Sequence, residues 1–304
     1  MLTFVSFLLF LSFPLGLIVF FSERFMGSLI FTPVGLMPVF FGGIPQLINI
    51  NILSISVFTF LWLIYLLFFL SLSKNFSSFY MSLKLILSPE DDRFLDNNLL
   101  FISYYFSLLT TFLFFLNYLQ RNIGLPIGEL PETNIVTDYV LLTIAPIVEE
   151  IGFRVTIIGL LAVIFLSKEK DLRIVFKSLW RPSDVIDVNL YKSLLRLLII
   201  FSSLLFGWSH YAYGSGWDLG KISIATFAGL VLGFIYVYRG VIPAIMLHWA
   251  FNYYNGTLYY FEKLFNYASL VWIPDGIVFV CGFISLIIFI YTSIYSRLTD
   301  YRNQ

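Results

Sequence analysis

The sequence predicts an all-α membrane protein, a polytopic helix bundle with about eight transmembrane helices. Three observations carry that prediction. Hydrophobic residues make up 59% of the 304 and charged residues only 12%, with a mean hydropathy of +0.89, a balance foreign to water-soluble domains. Apolar runs long enough to cross a bilayer recur along the whole chain. Basic residues are distributed unevenly between the segments that join those runs. Net charge is zero, which offers nucleic acid nothing to bind. The single cysteine, Cys281, excludes an intrachain disulfide.

The first run, 2–21, is apolar for a full span and has no basic leader. It therefore reads as a membrane helix rather than a cleaved signal. Residues 31–46 are apolar but interrupted by Pro33, Gly35, Pro38, Gly42, Gly43 and Pro45. A re-entrant or interfacial segment is expected there. The second and third spans are 47–72 and 99–120. A polar loop at 73–98 joins them, with SPEDD at 88–92 as a helix start or turn. Residues 121–138 hold Pro126, Gly128 and Pro131. The fourth span is 139–166, followed by the most basic loop of the chain, 167–192. The last four spans are 193–212, 221–238, 241–262 and 268–296. Gly240 and Pro243 mark a tight turn between the sixth and seventh. Ala225, Gly229 and Gly233, four apart, form a small-residue seam for close helix packing.

The positive-inside rule places 167–192 in the cytoplasm. Alternation then puts twelve basic residues on the cytoplasmic side and four, Lys221 among them, on the outer side, with both termini cytoplasmic. Three regions are expected: N-terminal membrane helices over 1–138, a helical core over 139–262, and a last membrane helix with a cytoplasmic tail over 263–304.

Polar residues inside the spans single out the chemistry. Glu149, Glu150 and Arg154 lie in the fourth span, where each charge costs roughly 2.5–3.5 kcal/mol on insertion scales. Glu150 and Arg154 are four apart and can pair, but a pair alone gains nothing over leucine, and Glu149 is left over. The chain has two histidines, and both fall in spans: His210 in the fifth and His248 in the seventh. Asn252, four residues on, shares a helix face with His248. Phe206 and Trp208 read as packing.

Two carboxylates, two imidazoles and an amide suit hydrolysis. Glu149 would take a proton from water that a histidine orients. His248 and Asn252, as donors on one face, suit the oxyanion. Arg154 would hold Glu150 in place. Zinc on Glu149, His210 and His248 is an alternative, since two His and one Glu form an allowed ligand set. No HExxH occurs, and the ligands would come from three helices. A proton-coupled transporter using the same groups as a relay is a second alternative. Against it stands the lack of an internal repeat. A non-catalytic scaffold is a third.

These residues, as Glu149-Glu150-x-x-x-Arg154, Phe206-x-x-x-His210 and His248-x-x-x-Asn252, resemble the three motifs of the CPBP (Abi) intramembrane proteases, which include type II CAAX prenyl endopeptidases. Tyr238-Arg239-Gly240 and Ile242-Pro243-Ala244 before the third motif add to the likeness, which covers about residues 139–255. The resemblance implies an eight-helix membrane protease acting on peptide or protein substrates, prenylated C-terminal tails among them. It implies Glu149 with His210 as the water-activating pair, His248 with Asn252 as the oxyanion pair, and Glu150 with Arg154 in support. One requirement follows from the span limits. They set Glu149 mid-membrane, His248 toward the cytoplasm and His210 toward the outside. A working site needs the fifth or seventh span to be shifted, tilted or broken, or the span limits to move by several residues.

Overall fold

The computed structural model describes residues 1–22, 27–73, 96–129, 134–166, 171–214, 216–266 and 269–302. The expected turn at 88–92 lies outside them, as do Arg24, Lys74, Lys84, Arg93, Lys168 and Lys170. The described residues form a helix bundle with one two-stranded sheet. Helix α1 is Leu2–Phe20. Strands β1 (Pro33–Phe41) and β2 (Ile44–Leu53) lead directly into α2 (Ser54–Leu72). Helix α3 is Asn98–Asn122. Helix α4 (Ile135–Glu149) continues through a π-helical segment, Glu150–Gly159, into α5 (Leu160–Leu166). After α6 (Leu172–Trp180) come α7 (Lys192–Tyr213) and α8 (Leu219–Arg239). Helix α9 (Val241–Trp249) continues through a second π segment, Ala250–Tyr254, into α10 (Asn255–Phe265). Helix α11 is Ser269–Arg302.

Among the described residues, six helices are long and apolar enough to cross a membrane: α1, α2, α3, α7, α8 and, in α11, Val271–Tyr291. The protein is an integral membrane protein. The expected fourth and seventh spans correspond to the two helical runs that π segments divide, 135–166 and 241–265. Many of the large apolar side chains that face outward, such as Phe4, Phe60, Leu67 and Phe165, lie on these helices, as lipid contact requires.

Most of the stretch expected as a re-entrant or interfacial segment forms an antiparallel hairpin, in register from Gly35–Ile50 to Phe41–Ile44, and residues 47–53, expected to open the second span, belong to its strand β2. Its breakers act as punctuation. Gly42 and Gly43, at φ 58° and 82°, make a two-residue turn of the kind that favours left-handed backbone. Gly35, at φ 83°, lies at the register shift that follows Pro33. Pro33 opens the strand, where no ladder donor is needed. The basic stretch expected as a loop contains α6, tied down where the Tyr236 hydroxyl donates to the Leu179 carbonyl at 2.8 Å.

Asparagines cap two helix starts. Asn97 accepts from Leu99 and Leu100, and Asn134 accepts from Val136 and Thr137, satisfying donors that the first turn leaves open. Helices α7 and α8 pack along the expected small-residue seam. A Cβ on Gly229 would meet Ser203 at 3.1 Å, and one on Gly233 would meet Ile199 at 3.0 Å. Gly240, at φ 96°, turns α8 into α9 within one residue.

The N-terminal helices are part of the wall around the core. Phe13 of α1 stacks on Trp249 at 4.7 Å, and Trp249 stacks on Tyr253 at 4.9 Å. Tyr65 of α2 donates to the Thr143 carbonyl at 2.9 Å. The Tyr139 and Thr257 hydroxyls, 2.7 Å apart, join α4 to α10.

Candidate active site

Pro146, inside α4, brings no amide hydrogen to the helical ladder. The winding opens to the π form four residues later. A π turn places one extra residue per turn and rotates every side chain beyond it. Here it begins at Glu150, beside Glu149, so the two carboxylates stand where the helix changes pitch. A wider turn loosens carbonyl contacts, and side chains and the hairpin take them up. The Thr156 hydroxyl donates to the Gly152 carbonyl, which also accepts from the Gly43 amide at 3.3 Å. The Gly42 amide donates to the Thr156 hydroxyl at 3.0 Å. Phe40 lies on Phe153, with ring centroids 5.2 Å apart. Gly152 allows this approach: a Cβ there would sit 2.6 Å from the Phe40 carbonyl oxygen. The β-hairpin thus grips the helix that carries the carboxylates.

The second π segment begins two residues after His248. His248, in the last turn of α9, reaches both carboxylates. Its Nδ1 donates to Glu150 Oε1 at 2.8 Å, and its Nε2 lies 3.7 Å from Glu149 Oε2. Glu150 Oε2 pairs with Arg154 Nε at 3.3 Å, and both side chains are fully buried. A buried ion pair stands only when its remaining contacts are good. The guanidinium lies over the ring of Phe206, 4.3 Å from its centroid. A chain of contacts therefore runs Arg154–Glu150–His248–Glu149, entirely within the bundle.

His210 approaches from α7. Its Nδ1 meets the Phe206 carbonyl at 2.8 Å. A carbonyl only accepts, so Nδ1 carries the proton and Nε2 of the neutral ring is an acceptor. The Phe206 ring lies 4.6 Å from that of His210 and 5.8 Å from that of His248. Phe206 is packing, as expected, and it spaces both imidazoles and the guanidinium. Trp208 faces outward. Asn252 lies half-buried in the second π segment, and its side chain forms no hydrogen bond to a described residue.

The structure thus brings Glu149, Glu150, Arg154 and His248 into one connected group and sets His210 beside it across Phe206. No ion pair joins Glu149 to His210 among the described residues. Among the described residues, no cluster of three or more His, Cys, Asp or Glu could hold an ion.

Sequence reasoning missed two contributors. Lys221, counted as an outer-side charge, is half-buried in the first turn of α8 and interacts electrostatically with both Glu149 and His210. Its signal was a lysine at the very start of an apolar span. The hairpin was hidden by its own prolines and glycines.

Comparison with known proteins gives one finding. Residues 131–254, less than half of the chain, match the family model described as type II CAAX prenyl endopeptidase Rce1-like. No curated protein and no solved structure matches. The matched stretch contains the glutamate pair, Arg154, both histidines and Asn252. Over that stretch the chain is similar to the Rce1-like type II CAAX prenyl endopeptidases, and the resemblance read from its three motifs holds, which implies a peptidase acting on a peptide or protein substrate in a membrane setting.

Proposed function

We propose that the protein is an intramembrane endopeptidase in which Glu149 activates water, acting on CAAX-type prenylated C-terminal tails. The observation that carries this reading is the buried chain Arg154–Glu150–His248–Glu149. These groups lie in contact, and Glu149 Oε2, like Glu150 Oε2 and the Arg154 guanidinium nitrogens, has no hydrogen bond to a described residue.

The chemistry runs as follows. Water sits between Glu149 and Nε2 of His210, both acceptors in their resting forms. Glu149 takes one proton as the water oxygen bonds to the substrate carbonyl carbon. Charge collects on the carbonyl oxygen. Asn252 donates to it from its amide, and His248 donates from Nε2 when that nitrogen carries a proton. Glu149 then gives its proton to the amide nitrogen as the C–N bond breaks, releasing an amine and a carboxylic acid. Glu150 and Arg154 hold His248 in position. They do not touch the substrate. Both termini and the basic 167–192 segment lie in the cytoplasm in this reading.

The alternative that keeps the same residues but adds zinc is separated by one experiment. Purified protein in detergent is given a fluorogenic farnesylated CAAX peptide, with and without a strong zinc chelator, beside Glu149→Gln. Cleavage that survives the chelator and is lost in the variant supports the glutamate mechanism. Cleavage lost to the chelator and restored by zinc supports the metal. Full cleavage by Glu149→Gln overturns the reading.

A further inference from the structure

We infer that α6 lies in the membrane interface and binds anionic phospholipid through Arg173 and Lys177. The hydrolytic chemistry makes no use of this helix.

At about 100° per residue, the side chains of Leu172–Trp180 fall on three faces. Ile174, Val175, Ser178 and Leu179 are buried or half-buried against the bundle. Leu172, Phe176 and Trp180, four apart, form an outward apolar stripe and are 72%, 69% and 57% exposed. Arg173 and Lys177, one residue further round, form an exposed basic stripe beside it. Neither pairs with a described carboxylate. Arg181 would continue the stripe, but its Nε donates to Asp184 Oδ1 at 2.6 Å. Asp187 is engaged as well, accepting from the Asn189 and Leu190 amides. Asp171, at the N-cap, opposes the basic stripe at one end only.

Two contacts fix the depth of the helix. The Tyr236 hydroxyl, in the last turn of α8, donates to the Leu179 carbonyl at 2.8 Å. A Cβ on Gly240, the turn that follows, would meet the Trp180 carbonyl oxygen at 3.0 Å. Helix α8 is long and apolar enough to cross a membrane, so its end marks a membrane surface, and the C-terminal end of α6 is held there. Large apolar side chains exposed side by side mark a membrane or partner contact. At this depth they enter the boundary between headgroups and acyl chains, where a tryptophan ring is at home. A short helix with one apolar and one basic stripe lies along that boundary. Arg173 and Lys177 then stand at headgroup level, where a cation favours anionic lipid.

The test uses the full chain in vesicles of phosphatidylcholine with a minority of phosphatidylglycerol. Bromines, which quench tryptophan, are placed on the acyl chains of one lipid or of the other. The Trp180 signal is the difference between the protein and its Trp180→Phe variant. Bromines on either lipid should quench it, because the apolar stripe is embedded. Brominated phosphatidylglycerol should quench beyond its share of the bilayer, by a local enrichment of at least about fivefold, the factor that one basic residue contributes near an anionic surface. Arg173→Gln with Lys177→Gln should bring that quenching down to the lipid's share. Arg173→Lys with Lys177→Arg should keep the enrichment. Quenching by brominated phosphatidylcholine should persist in both double variants, which shows that α6 is still folded and embedded. No quenching of Trp180 by either lipid overturns the interfacial placement and hands the apolar stripe to a protein partner or a second copy. Quenching in strict proportion to lipid content overturns the anionic site. An enrichment that survives the double glutamine variant overturns the assignment to Arg173 and Lys177.

Discussion

Two helix pairs meet at the site, and they are built on different principles. Helices α7 and α8 are regular and wind uninterrupted for 22 and 21 residues. They pack through glycines: Gly229 and Gly233 of α8 against Ser203 and Ile199 of α7, and Gly207 of α7 against Ile222 and Thr226 of α8. Without a hydrophobic force between helices in lipid, close van der Waals packing of this kind holds them. The runs 135–166 and 241–265 both change to π winding within two residues of a polar site residue. They are joined by charge, through Glu150 and His248, and by hydroxyls, through Tyr139 and Thr257. The regular pair supplies His210 and Lys221 from its ends. The irregular pair supplies Glu149, Glu150, His248 and Asn252 from its middle. Regular winding suits an adhesive face. Convergence of buried charge from two helices requires side chains turned off the regular repeat, which π winding provides.

The sharpest way to break this contrast is to remove one charge from the irregular pair. Arg154→Ala leaves Glu150 buried without its partner and should cost about 3–5 kcal/mol. The thermal midpoint of the detergent-solubilised protein should fall accordingly, and cleavage should fall with it. Glu149→Gln should separate the two properties: activity falls about 10²–10⁴-fold while the midpoint holds, because Glu149 ends the charge chain rather than joining it.

The grip of the hairpin on the first π segment can be tested at Gly152. Gly152→Val would push Phe40 and the β-turn away from the carboxylate helix. Overpacking of this order costs about 1–3 kcal/mol. Activity measured below the melting transition should drop by more than the fraction unfolded. An equal loss of both would show that the hairpin only braces the fold.

In the regular pair, Gly229→Ala should lower the midpoint by a small amount as Ser203 and Phe206 give way by tenths of an ångström, with kcat unchanged. The smallest effect on cleavage belongs at the C-terminal end of α8, where Tyr236 faces α6. Tyr236→Phe removes the hydrogen bond to Leu179 and should cost about 1 kcal/mol, loosening α6. Hydrogen exchange in Leu172–Trp180 should rise without loss of cleavage.

Much of this was legible from residues alone. Hydropathy located the six helices that are long and apolar enough to cross a bilayer, because lipid demands about 20 apolar residues from any helix that crosses it, but it carried the second span back to residue 47, into strand β2. The seam at Ala225, Gly229 and Gly233 and the turn at Gly240 followed from glycine's missing side chain. Glu149, Glu150, Arg154, His210 and His248 stood out because charge in an apolar span is expensive. The hairpin at 33–53 was not legible. Proline and glycine read as breakage until strand pairing shows that they open a strand, a bulge and a turn.

By itself, then, the sequence determined a membrane helix bundle and the polar residues buried in it, because burial of apolar surface and the cost of intramembrane charge are local properties of composition. Tertiary structure alone decided which of those residues touch. A straight α-helix offered Glu150 only to Arg154, four residues on. Packing of the two helical runs brings His248 onto Glu150 and toward Glu149. Helix pitch and the pairing of distant segments are set by packing between elements, and no single segment's sequence carries that information.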